Sequence, residues 1–147
     1  MVSRYTEAGC DLTIDAGLFF KVESMWVIEF HRVWAYVCIA AGLILGVYSG
    51  WRLWRHGTVD QPLRGLLALS EVTYLVQGVL GMVLVGQGLV PGKGWVHALY
   101  GIVILTTIPV AYFFSRGRDD RRVVTVYMIV GFFLAGVAVR ALLTGIP

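Results

Sequence analysis

Residues 33–48 read VWAYVCIAAGLILGVY, a run with no charge, preceded by Arg32 and followed by the cluster at Arg52 and Arg55. A bilayer core of ~30 Å needs about 20 helical residues to span it. With its apolar flanks the run makes a helix over about 26–51, long enough to cross. Three further blocks repeat the pattern. The second follows Pro62 and covers about 63–90, where Pro91 and Gly92 break it. The third covers about 95–114 with Pro109 inside, which membrane helices tolerate when neighbours satisfy the freed carbonyl. The fourth covers about 122–143. The expected fold is an all-α integral membrane protein, a four-helix transmembrane bundle whose sequential helices are antiparallel because their connections are short.

Composition agrees. Of 147 residues, 58% are hydrophobic and 14% charged, where a soluble domain carries roughly 25% charge. The mean hydropathy is +0.76. Residues 1–24 contain Arg4, Glu7, Asp11, Asp15, Lys21 and Glu23, and the apolar stretch Ala16–Phe20 is too short to span. They lack the order of a signal peptide and read as an extramembrane arm, with residues 25–147 as the transmembrane domain. Met25 is an alternative start.

Seven of the twelve Lys and Arg fall in two connections: Arg52, Arg55 and Arg64 in the first, and Arg116, Arg118, Arg121 and Arg122 in the third. Only Lys93 lies in the second. The positive-inside rule therefore puts both Arg-rich connections in the cytoplasm and both termini outside, in a plasma (inner) membrane. Trp26, Trp34 and Trp95 would form an outer aromatic belt, and Trp51, Trp54 and Tyr112 an inner one.

Several function classes lack residues. The basic residues are not interleaved with aromatics, so nucleic acid is not an expected partner. Cys10 and Cys38 are isolated, with no disulfide or metal spacing. No nucleotide-binding glycine loop occurs, and Ser70 and Thr73 have no His–Asp context for nucleophilic hydrolysis. Asp119 and Asp120, set among four arginines, read as a solvated loop. His56, in the first connection, reads as solvated. No connection is long enough for a soluble catalytic domain, so the chain is not expected to be an enzyme on its own.

What remains lies among the helices. His31 opens the first helix and His97 the third, each followed three residues on by an aromatic, Trp34 or Tyr100. They are 66 residues apart, and at the same offset Arg52 aligns with Arg118 and Arg55 with Arg121. This is the pattern of a duplicated helical hairpin, whose halves would be related by an axis along the membrane normal. Helices one and three run the same way, so the histidines share a depth. Two neutral imidazoles on one iron make a six-coordinate b-type haem for electron transfer. Its propionates would find Arg32, Lys93 and Arg140, and the small-residue face Gly42, Gly46, Gly50 would give a flat cofactor a groove. The competing reading of that face is helix packing through GxxxG, and Arg140 has Glu29 as an alternative partner.

Glu71 is the main intramembrane ionisable residue, with Gln77 further along the second helix. It would pair with Arg64 or bond to a neighbouring helix, or else serve a proton or ion relay. Three functions compete: a haem b electron-transfer protein or subunit held by His31 and His97; a non-catalytic structural or assembly subunit of a larger respiratory or photosynthetic membrane complex, or a homo-oligomer; and a small transporter using Glu71 and Gln77. All three have the lipid bilayer as a partner.

Overall fold

The computed structural model describes residues 7–55, 57–90 and 92–145, with side chains from residue 25 onward. Four α-helices follow one another: α1 (Glu7–Arg55), α2 (Gln61–Gly86), α3 (Gly94–Ser115) and α4 (Arg121–Gly145). Each is long and apolar enough to cross a membrane, through Met25–Arg55 in α1 and the whole of the other three. The chain is an all-helical, multi-pass membrane protein. His56 and the helix-breaking Pro91 lie outside the described residues.

The helix boundaries have local causes. α2 starts two residues earlier than expected, because the Asp60 carboxylate accepts a hydrogen bond from the Leu63 amide at 3.0 Å and caps the helix. It stops at Gly86, four residues early. Gly88 takes a left-handed conformation (φ 77°), and the Leu89 amide donates back to the Leu84 carbonyl at 3.0 Å. That closes the helix end with a glycine. The largest difference is at the start. Hydropathy predicts the first helix from Trp26, yet the backbone is helical without a break from Glu7. Alternating charges stop a segment from spanning lipid, but they do not stop it from being helical.

α1 packs against α2 and α4, and α3 packs against the same two. α1 and α3 therefore lie on opposite corners, with no backbone contact between them among the described residues. The widest interface is α1–α4, and its cause is the glycine face. A Cβ on Gly42 would sit 2.8 Å from the Ala135 amide nitrogen, and one on Gly46 3.0 Å from the Phe132 ring. From the other side, a Cβ on Gly131 would collide with the Gly46 backbone nitrogen. Small residues let the two backbones approach. The face read as a groove for a flat cofactor is thus covered by α4, and Gly42 and Gly46 have no space beside them for one.

Leu45, Leu63, Tyr74, Val124 and Leu134 are fully buried between the helices. Outward, Val33, Ile44, Val47, Val79, Ile102 and Phe133 are exposed, a surface matched to hydrocarbon and not to water.

The two ends of the bundle differ in charge. At the arginine end, Tyr48 donates to Asp60 at 3.0 Å, and Arg52 pairs with the same carboxylate at 3.2 Å. Arg64 pairs with Asp119 at 2.7 Å, and the Val59 amide donates to the Asp119 carbonyl, so the two Arg-rich connections are tied together. Asp120 caps α4 by accepting from the Val123 amide at 3.1 Å. Asp119 and Asp120 are exposed, as their reading as a solvated loop expects, and they also make these structural contacts. Trp26 and Trp95 are exposed at the histidine end, and Trp51, Trp54 and Tyr112 at the other. Trp34 leaves the expected belt: its indole nitrogen donates to the Thr73 carbonyl at 3.0 Å, between α1 and α2.

Candidate functional site at the histidine pair

His31 lies on α1, and His97 lies in the first turn of α3. The carrying helices are diagonal, yet the two rings meet across the bundle, with centroids 6.2 Å apart and planes inclined at 57°. Both residues are partly buried.

Each ring is held by the helix that follows its own. The Gln77 carboxamide nitrogen donates to the His31 carbonyl at 3.2 Å, which fixes the orientation of the amide. The same nitrogen lies 3.3 Å from His31 Nε2. A donor there makes Nε2 the acceptor and places the ring proton on Nδ1. His31 Nδ1 is buried and has no partner among the described residues. For His97, Nδ1 lies 2.9 Å from the Ala141 carbonyl, which can only accept, so Nδ1 carries the proton there too. Thr144 Oγ1 sits 3.4 Å from the same nitrogen. Both imidazoles thus have their proton on Nδ1 and a lone pair on Nε2. A backbone carbonyl holding Nδ1–H is the usual support of a metal-ligating histidine.

The spacing repeats between the halves. His31 bonds to a residue 46 positions on, and His97 to residues 44 and 47 positions on. Glycines clear both rings: a Cβ on Gly81 would lie 3.4 Å from His31 Cε1, and one on Gly145 would lie 3.1 Å from His97 Cε1. These partners do not stand out as a group in the sequence. Gln77 and Gly81 are visible there only as members of one α2 face, and Ala141 acts through its backbone, which no residue type signals.

The basic residues do not gather at the pair. Arg32 bonds to Glu29 at 3.3 Å, one turn away on the same exposed face of α1. The expected Glu29–Arg140 pair is therefore absent, because a neighbour on the same helix reaches Glu29 first. Arg140 is exposed, and among the described residues it has no acidic partner; Lys93 is also exposed. Glu71 does not pair with Arg64, which Asp119 holds. Glu71 is partly buried, and its Oε2 has no partner among the described residues. Gln77, six residues further along, lies on a different side of α2 and belongs to the histidines.

Among the described residues no three His, Cys, Asp or Glu come together as metal ligands. A bare zinc ion, which takes about four protein ligands in a structural site, is not served by two. Two imidazoles do suit a metal that brings its own equatorial donors. With metal–nitrogen bonds of about 2.0–2.1 Å, two imidazoles on one metal have ring centres roughly 6 Å apart. The separation and the two-donor set fit that case, and the His31 Nε2 lone pair would have to leave the Gln77 amide to serve it. Comparison with known proteins returns no matching family model, no curated relative and no similar solved structure.

Proposed function

We propose that this chain is a b-type haem electron-transfer protein, or a subunit with that role, with His31 and His97 as the axial ligands. The observation that supports it is the meeting of two imidazoles from diagonal helices at 6.2 Å, each held with its Nε2 lone pair free of a proton. Bound there, haem supplies a one-electron couple. The protein's part is to hold the donors and keep water away. His97 is fixed by the Ala141 carbonyl. His31 is oriented by Gln77, whose amide occupies the Nε2 lone pair that the metal would take. Arg140 and Lys93 are the cations left for carboxylates at this end, since Arg32 is engaged by Glu29. The positive-inside bias favours the histidine end at the outer face of a plasma membrane, with the Arg-rich connections cytoplasmic.

The test is an absorption spectrum of protein purified from cells supplied with a haem precursor. A sharp Soret band is expected, and it should disappear in His31→Ala and in His97→Ala. A colourless wild-type protein overturns the proposal.

A second reading has its own support. Without a metal, Gln77–His31 ties α1 to α2, and His97–Ala141–Thr144 ties α3 to α4. The cluster would then be a polar clasp in a structural subunit of a larger membrane complex. That reading expects colourless protein that co-purifies with other membrane proteins, and histidine variants that lose thermal stability only.

A further inference from the structure

The two imidazoles of the histidine pair are held unequally. His97 donates its Nδ1–H to the Ala141 carbonyl at 2.9 Å, and its Nε2 has no hydrogen-bond partner among the described residues. A carbonyl on Nδ1 orients such a ring and raises the basicity of its other nitrogen. His97 is therefore a donor prepared in advance.

His31 is the reverse. Its Nδ1 is buried with no partner among the described residues, and its Nε2 faces the Gln77 carboxamide nitrogen at 3.3 Å. The amide is anchored by its second contact, to the His31 carbonyl at 3.2 Å. Gln77 thus covers the one nitrogen of His31 that has a lone pair to give. It covers it weakly, since 3.3 Å lies at the long end for a hydrogen bond from nitrogen. Gln77 Oε1 is buried without a partner as well. Two buried polar atoms left unmet cost free energy, so little holds the ring in this arrangement. Gly81 puts no side chain against its Cε1 edge.

We infer that His31 is the exchangeable one of the two ligands and that Gln77 makes it so. The amide takes up the His31 lone pair whenever it is off the metal, which leaves the sixth position open to an uncharged diatomic molecule. His97 keeps its place, because its support does not touch Nε2. Gln77 is a positioning residue here: it acts on the metal only through His31. The inference rests on the haem reading and adds to it a ligand class and a way of admitting that ligand.

The experiment is a pair of titrations of the full chain in neutral detergent, both followed by the Soret band. Hemin is added to unloaded protein, and carbon monoxide to loaded protein reduced with dithionite. The wild type should bind both. Gln77→Leu removes the competing donor, so it should bind hemin more tightly and carbon monoxide more weakly, each by roughly fivefold for one lost hydrogen bond. A Gln77 that only braces the bundle gives the opposite signs, because a loosened site loses hemin and opens to carbon monoxide. Opposite signs or unchanged affinities overturn the inference. Loaded wild type that does not respond to carbon monoxide also overturns it and leaves the haem reading standing, whereas protein that takes up no hemin overturns both. If Gln77→Leu loses helicity by circular dichroism, Gln77→Met, of similar length and without the donor, takes its place with the same expected outcomes.

Discussion

Asp60 shows how much one side chain can hold at a helix junction. Its carboxylate caps α2, accepts from the Tyr48 hydroxyl and pairs with Arg52. Asp60→Ala should lower stability in mixed micelles by about 2–5 kcal/mol, the sum of a lost cap and a lost charged hydrogen bond. Asp60→Asn keeps the cap and should recover part of that loss; equal loss in the two variants would remove the cap from the account. At the other end, Gln77 neighbours the proposed ligands without being one. Gln77→Leu should keep a Soret band that His31→Ala abolishes, and its loss in the leucine variant would move Gln77 into the ligand set. The histidines are legible in the sequence from their matched positions. Their supports are not, since the Ala141 carbonyl is invisible to residue type, and polarity alone groups Gln77 with Glu71. The ion pairs at Glu29 and Arg64 escape a sequence reading for one reason: the order of charges along a chain does not say which partner arrives first in space.

The helices themselves follow from runs of uncharged residues, and their ends from single residues. α2 ends at Gly86 because Gly88, just beyond it, takes φ 77° without strain and turns the chain back, so the capping residue ranks above a proline further on. Hydropathy places the start of α1 late because it reports the solvent of a segment and not its backbone. Packing between elements separates the glycines of one helix. Gly131→Ala drives a methyl group into the α1 backbone, whereas a methyl group added at Gly136, on the same helix, would have nothing within 4 Å. Gly131→Ala should cost about 1–3 kcal/mol through overpacking. Gly136→Ala should be neutral or stabilising by roughly 0.5–1 kcal/mol. Thermal unfolding of the two variants in detergent distinguishes them; equal effects would mean that α1 and α4 do not meet through this face.

At the scale of the whole molecule the bundle has two unlike ends, one carrying paired histidines and the other a lattice of arginines and aspartates. Among the described residues the candidate span runs from Met25, and the charges before it set residues 1–24 apart in the sequence. Removal of residues 1–24 should therefore leave a folded four-helix protein with unchanged melting, and aggregation of the shortened chain would show that the first segment packs on the bundle. The number of crossings, the helical class and the charge asymmetry are determined by the sequence alone, because transfer into hydrocarbon depends on composition summed over about 20 residues and needs no partner. Which faces meet is decided only in the tertiary structure. GxxxG permits a close approach without saying to what, and here the approach is to α4. Across the diagonal between α1 and α3, the His31 and His97 rings meet. Two histidines at the same depth could face lipid, water or each other, and that choice belongs to the rotation of each helix about its axis, set by what packs behind it.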